Sequence, residues 1–311
     1  MTSSPHSTLR RTVAVPVAVH PRRRTRRFRR VAVGYLFIAP AVIAAAVFLY
    51  GPMIVSGYWS FTEFHGIGTA KWVGLANYKD VLGDDKFRHA LFNATLFVVL
   101  GQGTGPILGL ASAVLLNRSL RLRAVFRAAY FLPVMVSLVV AATIWKILLN
   151  DNGIVNEVLR FLHLPTTQWL DNPTTALPAI VVTSVWQGFG FETVIFLAAL
   201  QAIPADLYDA ALVDGANAWE RFRYVTLPAL RPTIVFVYVI GIIGTFQIYD
   251  QVFVMSNGTG GPIDSTRTIV FDLVERFQQL KLGEASAVAY VLLVILATLS
   301  YLQLRLFDRR A

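Results

Sequence analysis

Residues Val31–Ser56 read VAVGYLFIAPAVIAAAVFLYGPMIVS, a stretch of 26 residues without a charged side chain. A helix rises about 1.5 Å per residue, so this stretch is long enough to cross a hydrocarbon core about 30 Å thick. The apolar region of a cleavable signal peptide is only about 7–15 residues long. The stretch therefore predicts an uncleaved first membrane span, preceded by a basic polar tail, residues 1–30.

Five more apolar segments of similar length follow the first one. Hydrophobic residues make up 55% of the 311 residues and charged residues only 15%, whereas roughly 25% of the residues in an average soluble domain are charged. We therefore predict an all-α membrane protein with six transmembrane helices in one membrane domain, residues 31–311. The five further spans are predicted at Ala90–Leu116, Ala124–Leu149, Leu177–Leu200, Thr233–Met255 and Ala285–Phe307.

Lysine and arginine are unevenly divided between the two sets of connecting segments. If each basic residue is counted with the nearer end of a span, 19 of the 28 lie on the side of the N-terminal tail and 9 on the other side. Because basic flanks are retained in the cytoplasm, this predicts that both termini are cytoplasmic. The same distribution favours contact with the anionic lipids of the bilayer and disfavours a nucleic-acid partner, in spite of the net charge of +10.

The sequence contains no recognisable motif for catalysis, nucleotide binding or metal binding. Cysteine is absent, so no disulfide or thiolate site can form. The glycine-rich part of the second span, Gly101–Gly109, lacks the Gly-Lys-Ser/Thr ending of a phosphate-binding loop, and close helix packing explains it better. The five histidines are scattered over the tail and the connecting segments. We therefore expect no catalytic residue, no metal site and no cofactor bound by this chain.

The segment Gln201–Arg231 connects the fourth and fifth spans and has a distinct pattern. Pro204 favours the start of a helix, and Asp206 places a negative charge in its first turn. Asp214-Gly215 is a turn or helix-end signal, because glycine adopts a left-handed backbone without strain. A second, short amphipathic helix then carries Ala218, Trp219, Phe222 and Val225 on one face, and Pro228 and Pro232 redirect the chain. This pattern fits either a partner-docking helix pair or a connector packed on its own bundle.

The spacing within this segment resembles the EAA loop of permease subunits of binding-protein-dependent ABC importers. That loop has Glu-Ala-Ala, three residues, Gly, nine residues and Ile/Val-x-Leu-Pro. Here Asp209-Ala210-Ala211 stands for Glu-Ala-Ala, Gly215 for the glycine, and Val225-Thr226-Leu227-Pro228 for the end. Aspartate keeps the charge but is one methylene shorter than glutamate, so a salt bridge formed there would be weaker.

The resemblance extends over nearly the whole chain and is closest to the carbohydrate branch, similar to maltose- and glycerol-3-phosphate-type permeases. The further matching stretches are Val73–Tyr78, Leu132-Pro133, Ile144-Trp145-Lys146, Ile203-Pro204, Asp250 with Gly260-Gly261-Pro262, and Gly283–Ala287. It implies the type I ABC importer permease fold, a multi-pass location in the bacterial inner membrane, and passage of a sugar or a sugar-like solute such as glycerol phosphate.

The resemblance also implies the partners. They are a second, homologous permease subunit, an ABC ATPase dimer that uses ATP and Mg, and an extracytoplasmic binding protein that delivers the solute. The coupling loop of this chain would dock on the ATPase, with Asp209, Ala211, Gly215 and Ala216 at the tip. The residues predicted for ATPase coupling are Asp209, Ala210, Ala211, Asp214, Gly215, Ala216, Phe222 and Pro228.

Polar residues inside the spans are the candidates for the solute pathway, because polar groups at membrane depth usually face an interior cavity. Gln247, Asp250 and Gln251 would share one face of a fifth helix, with Tyr249 beside them. Their alternative role is hydrogen bonding between helices. In the fourth span, Gln187 and Glu192 are about 140° apart on a helix, so we expect that both cannot line one cavity unless Gly188 or Gly190 breaks the helix. Glu192 could contact the solute or pair with a cation of a partner subunit.

Three other classes of protein remain to be compared with this prediction. A secondary transporter would have an internal repeat and no ATPase-docking loop, and the sequence has no clear repeat. A membrane-embedded enzyme would have clustered acid, base or metal-binding residues. A scaffold subunit without transport would be distinguished by its co-purified partners.

Overall fold

The computed structural model describes residues 23–117 and 123–308. The predicted tail up to residue 22, the arginines at 118 and 121, and the last three residues lie outside that range. The described residues up to Val55 and those from Ser56 onward form two separate compact units. Helix α1 (Arg23–Ala45), a π-helical turn (Ala46–Tyr50) and α2 (Gly51–Trp59) follow one another without a break. Together they contain an apolar helix of 27 residues, Val33–Trp59, as predicted for the first span.

The second unit is built almost entirely from helices. A short hairpin of two antiparallel strands, β1 (Thr62–Glu63) and β2 (Lys71–Trp72), is its only sheet within the described residues. The helices are α3 (Ala76–Gly83), α4 (Asp85–Leu116), α5 (Arg123–Phe131), α6 (Leu138–Leu148), α7 (Ile154–Phe161), α8 (Ala176–Gln201), α9 (Ala205–Val213), α10 (Ala218–Arg221), α11 (Leu227–Ala229), α12 (Arg231–Phe246), α13 (Asp250–Met255), α14 (Ile269–Gln278) and α15 (Leu282–Asp308). Besides Val33–Trp59, three of these helices, α4, α8 and α15, are long and apolar enough to cross a membrane. The number of candidate spans is six if each of two bent helix pairs is counted as one span.

The third predicted span is not one straight helix, which corrects the sequence prediction. Helix α5 is followed by a 3-10 turn at Leu132–Met135, and α6 then leaves at an angle of 99°. Pro133 has no N–H to continue the hydrogen-bond ladder, which explains a break at this point. The carbonyl oxygen of Val136, which the bend leaves free, accepts a hydrogen bond of 2.8 Å from Nε2 of Gln187.

The fifth predicted span, Thr233–Met255, is also broken. Helix α12 ends at Phe246, residues 247–249 are not helical, and α13 begins at Asp250. Within the break, Tyr249 has a non-helical φ of −138°. Thr268 stabilises this conformation by donating a hydrogen bond of 3.0 Å to the carbonyl oxygen of Ile248. A side chain from a different segment thus replaces the helical hydrogen bond that the sequence pattern had implied.

Helices α4 and α8 form the centre of the second unit. One face of α4 carries the buried small residues Gly101, Gly105, Gly109 and Ala113, spaced four residues apart. This spacing places them on one side of the helix and confirms the packing interpretation of the glycine-rich stretch. Gly190 of α8 has the same role toward α5: a Cβ there would lie 2.0 Å from the carbonyl oxygen of Tyr130.

This contact gives a stability prediction. We expect Gly190→Ala to destabilise the protein by about 1–3 kcal/mol, because the backbone of α5 must move to admit one methyl group. Thermal unfolding of the detergent-solubilised protein measures the effect. Gly103→Ala is the matched control, since Gly103 is also inside a helix but has nothing within 4 Å of an added Cβ. Equal melting temperatures for the two variants would contradict the close approach.

An ion-pair network connects the ends of α4, α14 and α15 outside the apolar spans. Arg276 donates to Asp272 Oδ2 at 2.8 Å, to Glu284 Oε2 at 2.5 Å, and to Asp84, the N-cap residue of α4. Asp272, whose side chain is 2% exposed, also lies 3.5 Å from Nη1 of Arg267. Burial raises the pKa of the Asp272 carboxyl above its usual range, although Arg276 and Arg267 oppose the rise. Burial also acts to raise the pKa of Asp84, but the Lys86 N–H and Arg276 hold it below its usual range.

Candidate functional site

A cavity of about 340 Å³ lies among α4, α8, α12 and the break in the fifth span, and its wall contains both polar and apolar side chains. All six residues predicted for the solute pathway line it, namely Gln187, Glu192, Gln247, Tyr249, Asp250 and Gln251. Further polar lining comes from Gln102, Ser184 and Thr245, and space comes from Gly101, Gly105, Gly188, Gly241 and Gly244. The structure thus brings together residues from segments more than 140 positions apart in the sequence.

Gln187 and Gln251 are the buried hydrogen-bonded part of the cavity wall. Gln251 Nε2 donates to Gln187 Oε1 at 2.7 Å, and Ser184 Oγ donates to Gln251 Oε1. Gln187 Nε2 in turn donates to Val136 O at the bend between α5 and α6. These bonds connect α8 to both broken spans. Gln251 thus takes part in the interhelical hydrogen bonding that was its alternative role, and Gln187 is its partner.

Glu192 lines the same cavity as Gln187 although α8 is unbroken from Ala176 to Gln201. The expectation that a break at Gly188 or Gly190 is required was therefore wrong. The cavity extends around α8 because the facing part of α4 is made of glycines, and Glu192 lies against Gly105 and Gly109. The cavity thus reaches two side chains of α8, Gln187 and Glu192, that lie about 140° apart around the helix axis.

Gln247, Tyr249 and Asp250 line the cavity from the non-helical break and the first residue of α13. The prediction that Gln247, Asp250 and Gln251 share one helical face was wrong, because no single helix contains all three. Gln247 and Asp250 are exposed, and the Tyr249 ring packs against Phe253 with centroids 5.4 Å apart. These side chains face the cavity because the chain changes direction between the two helices.

Gln102 was missed by the sequence analysis, which treated its surroundings only as a packing surface. Its Nε2 donates to Thr245 Oγ1 at 2.8 Å. Its side chain packs directly against Gly241, where an added Cβ would lie only 2.2 Å from Gln102 Oε1. A polar residue within a glycine-rich span was the available signal, since such residues usually face an interior cavity.

The predicted coupling segment forms the expected helix–turn–helix. Pro204 precedes α9, and Asp209, Ala210 and Ala211 lie within it. Gly215 has a φ of +78°; its N–H donates to Leu212 O at 3.0 Å, and the N–H of Ala216 donates to Ala211 O at 2.9 Å. This pair of bonds is a Schellman motif, which requires a left-handed residue at the position of Gly215. The spacing between Ala211 and Gly215 is thus the spacing of a helix end.

The second helix of the segment begins as predicted, but its hydrogen-bond pattern changes after the first turn. The Asn217 side chain accepts from the backbone of Trp219 and Glu220, and Glu220 accepts from the Asn217 N–H, which forms a capping box at the start of α10. A π-helical turn at Phe222–Thr226 follows after only one turn of α-helix. Of the four residues predicted on one face of the helix, two lie in α10 and two in the π-helical turn. The Trp219 and Phe222 rings stack with their centroids 5.7 Å apart.

The two prolines redirect the chain as predicted. Pro228 is in the first turn of α11, Pro232 is in the first turn of α12, and the chain bends by 62° between Ala218–Ala229 and Arg231–Phe246. Helix α9 itself has no buried residue. Asp209 and Gly215 are exposed, and Val213 and Trp219 are 88% and 66% exposed. This degree of exposure disfavours the alternative of a connector packed on its own bundle.

The comparisons with known proteins agree on one family. Residues 105–311 match the family described as binding-protein-dependent transport system inner membrane component. A probable ABC transporter permease protein, YesP of Bacillus subtilis, is 36% identical over 271 residues, which are 86% of this chain and 87% of that protein. The lactose transport system permease LacF of Rhizobium radiobacter is 34% identical and covers 87% and 92% of the two chains. The trehalose/maltose transport system permease MalF of Thermococcus litoralis is 33% identical and covers 91% and 97%.

The solved structures show the fold. A chain of a bacterial ABC transporter involved in the import of the acidic polysaccharide alginate superimposes with a TM-score of 0.81 at 23% identity, over 92% of this chain and 99% of that one. The fold is therefore that of an ABC importer permease, as predicted.

Proposed function

Because the chain belongs to the inner membrane components of binding-protein-dependent transport systems, we propose that it is the transmembrane permease subunit of an ATP-driven importer for a sugar. The curated relatives named above include permeases for lactose and for trehalose/maltose. The observation that carries the proposal is the cavity at the break of the fifth span, which collects polar side chains from three helices. Discontinuous helices that line a cavity are a common way to build a solute site within a membrane.

The proposed mechanism connects this cavity to the exposed coupling segment. Helix α9 follows the end of α8 after three residues, and α8 carries Gln187 and Glu192 in the cavity wall. A force applied to α9 by an ATPase would therefore act on the helix that forms one side of the pathway. A rigid-body switch between two packings would expose the cavity to either side of the membrane, and solute and ATPase would influence each other reciprocally.

The proposed assembly contains a second permease, an ABC ATPase dimer and an extracytoplasmic binding protein. The ATPase dimer would bind ATP and Mg, and this chain would supply no catalytic residue. A related alginate transporter has been solved in complex with a pentasaccharide-bound periplasmic protein. Residues 31–311 would form the permease domain in the inner membrane, with both termini in the cytoplasm and residues 201–231 as the coupling loop.

Uptake and co-purification test the proposal together. A strain without this chain is expected to lose ATP-dependent uptake of one labelled solute from a panel of disaccharides, amino sugars and glycerol phosphate, and to regain it when the chain is restored. The tagged chain is expected to bring down an ATPase and a second permease in detergent. Uptake driven by an ion gradient without an ATPase would indicate a secondary transporter, and co-purification without any uptake would indicate a scaffold.

A further inference from the structure

Glu192 occupies a space that two glycines of α4 leave open. A Cβ on Gly109 would lie 2.8 Å from the Cβ of Glu192, and a Cβ on Gly105 would lie 3.1 Å from its Oε2. A larger residue at either position would displace the Glu192 side chain. The packing of α4 against α8 is therefore matched to a carboxyl group at this point of the cavity.

Two buried acceptor atoms of the cavity have no hydrogen-bond partner among the described residues: Oε2 of Glu192 and Oε1 of Gln102. The Gln102 amide nitrogen already donates to Thr245. The Gln187, Gln251 and Ser184 side chains bond to one another and to Val136 O. A buried polar atom without a partner is unfavourable, so these two oxygens are available to accept hydrogen bonds from a molecule in the cavity.

The charge of the cavity points in the same direction. Its ionisable carboxyl groups are Glu192 and Asp250, and no Lys, Arg or His is among the described residues that line it. A carboxyl group within a membrane is stabilised either by a proton or by a compensating donor or cation. Within the described part of this chain, no basic side chain of the cavity wall supplies that group.

We propose that Glu192 selects the solute by charge, and that the pathway carries a donor-rich carbohydrate without negative charge. An amino sugar fits best, because its ammonium group can pair with Glu192 while a hydroxyl group donates to Gln102. A uronate or a sugar phosphate would bring further acceptors and negative charge into this cavity and is rejected. This inference rests on the proposed function, since it assigns the cavity to the solute pathway.

The absence of cysteine makes a direct test of the cavity charge possible. Gly188 lines the cavity, a Cβ there meets nothing within 4 Å, and it precedes Glu192 by one helical turn on the same face. The complete complex that carries Gly188→Cys is treated with a trimethylammonium-bearing or a sulfonate-bearing methanethiosulfonate reagent, and modification of this subunit is followed over time. Each modification rate is divided by the rate at which the same reagent modifies a small thiol in solution. We then expect the cationic reagent to react with the thiol of Gly188→Cys at least about tenfold faster than the anionic one.

The same measurement with Glu192→Gln assigns the preference to this residue. Because Asp250 remains in the cavity wall, the rate ratio is expected to fall with Glu192→Gln to the smaller value that Asp250 alone sets, and to persist with Glu192→Asp. Gly83→Cys, in an open position outside the cavity, is the control whose ratio Glu192→Gln leaves unchanged. A ratio near one with Glu192 in place would overturn the charge selection, whether the carboxyl is protonated or paired with a partner subunit. No reaction with either reagent in any nucleotide state would instead contradict the solute pathway and so the proposed function.

Discussion

Gly215→Val is expected to weaken coupling between the ATPase and solute transport strongly, while the chain still inserts and assembles. Gly215 has a φ of +78° and closes the Schellman motif at the end of α9. A β-branched residue in this conformation is strained by about 1–3 kcal/mol. Because about 1.4 kcal/mol corresponds to a tenfold change in an equilibrium, solute-stimulated ATPase activity should fall by roughly tenfold or more.

Gly215→Asn separates the helix end from the docking contact. Asparagine adopts the left-handed conformation more readily than other residues with a side chain, and a Cβ at Gly215 meets nothing within 4 Å in this chain. The Asn variant therefore keeps α9 intact but adds a side chain to the proposed tip. We expect it to reduce stimulated ATPase activity less than valine does. Normal solute-stimulated ATPase activity in the valine variant would contradict the coupling role. Normal activity in the asparagine variant alone would show that Gly215 serves only to end α9 and does not contact the ATPase.

Arg276→Met is expected to cause the largest loss of stability. The Arg276 side chain is 9% exposed and bonds to carboxylates of three elements: Asp84, Asp272 and Glu284. Removal of the guanidinium leaves the buried Asp272 carboxylate with Arg267 alone, at 3.5 Å. Breaking a buried ion pair in this way typically destabilises by about 3–5 kcal/mol, so the melting temperature in detergent should fall by on the order of 10 °C.

Arg88→Met is the matched control for this network. Arg88 pairs with Asp85 at 3.1 Å, but the two side chains are 61% and 89% exposed. Such a surface pair contributes less than about 1 kcal/mol. Arg276→Lys should give an intermediate melting temperature, because one ammonium group cannot replace a planar guanidinium that contacts three carboxylates. Similar melting temperatures for Arg276→Met and Arg88→Met would show that the network is not a source of stability.

Local patterns predicted much of the molecule correctly. The first, second, fourth and sixth spans agree with Val33–Trp59, α4, α8 and α15, because a long apolar run satisfies its backbone only as a helix within lipid. The coupling segment was also predictable, because helix ends and capping boxes depend on residues within one or two turns of each other. Pro204 at the start of α9, Gly215 at its end and Pro228 before the bend lie where their residue types predicted.

The cavity could not be derived in this way, because it depends on contacts between distant segments. The break after Phe246 is stabilised by Thr268, twenty residues beyond Ile248, and the bend near Pro133 by Gln187, fifty-one residues beyond Val136. A hydropathy pattern records no such partners. It therefore predicted continuous third and fifth helices and one shared face for Gln247, Asp250 and Gln251.

The amino-acid sequence by itself determined that this chain is a multi-span helical membrane protein with an exposed helix–glycine–helix segment between two spans. Both properties follow from short-range physics, namely the length of apolar runs and the conformational freedom of glycine. Only the tertiary structure decided which polar side chains are already paired and which remain available. Gln187 and Gln251 bond to each other, whereas Glu192 Oε2 and Gln102 Oε1 have no partner among the described residues. This distinction depends on the packing of α4 against α8, where the glycines of one helix make room for the carboxyl group of the other.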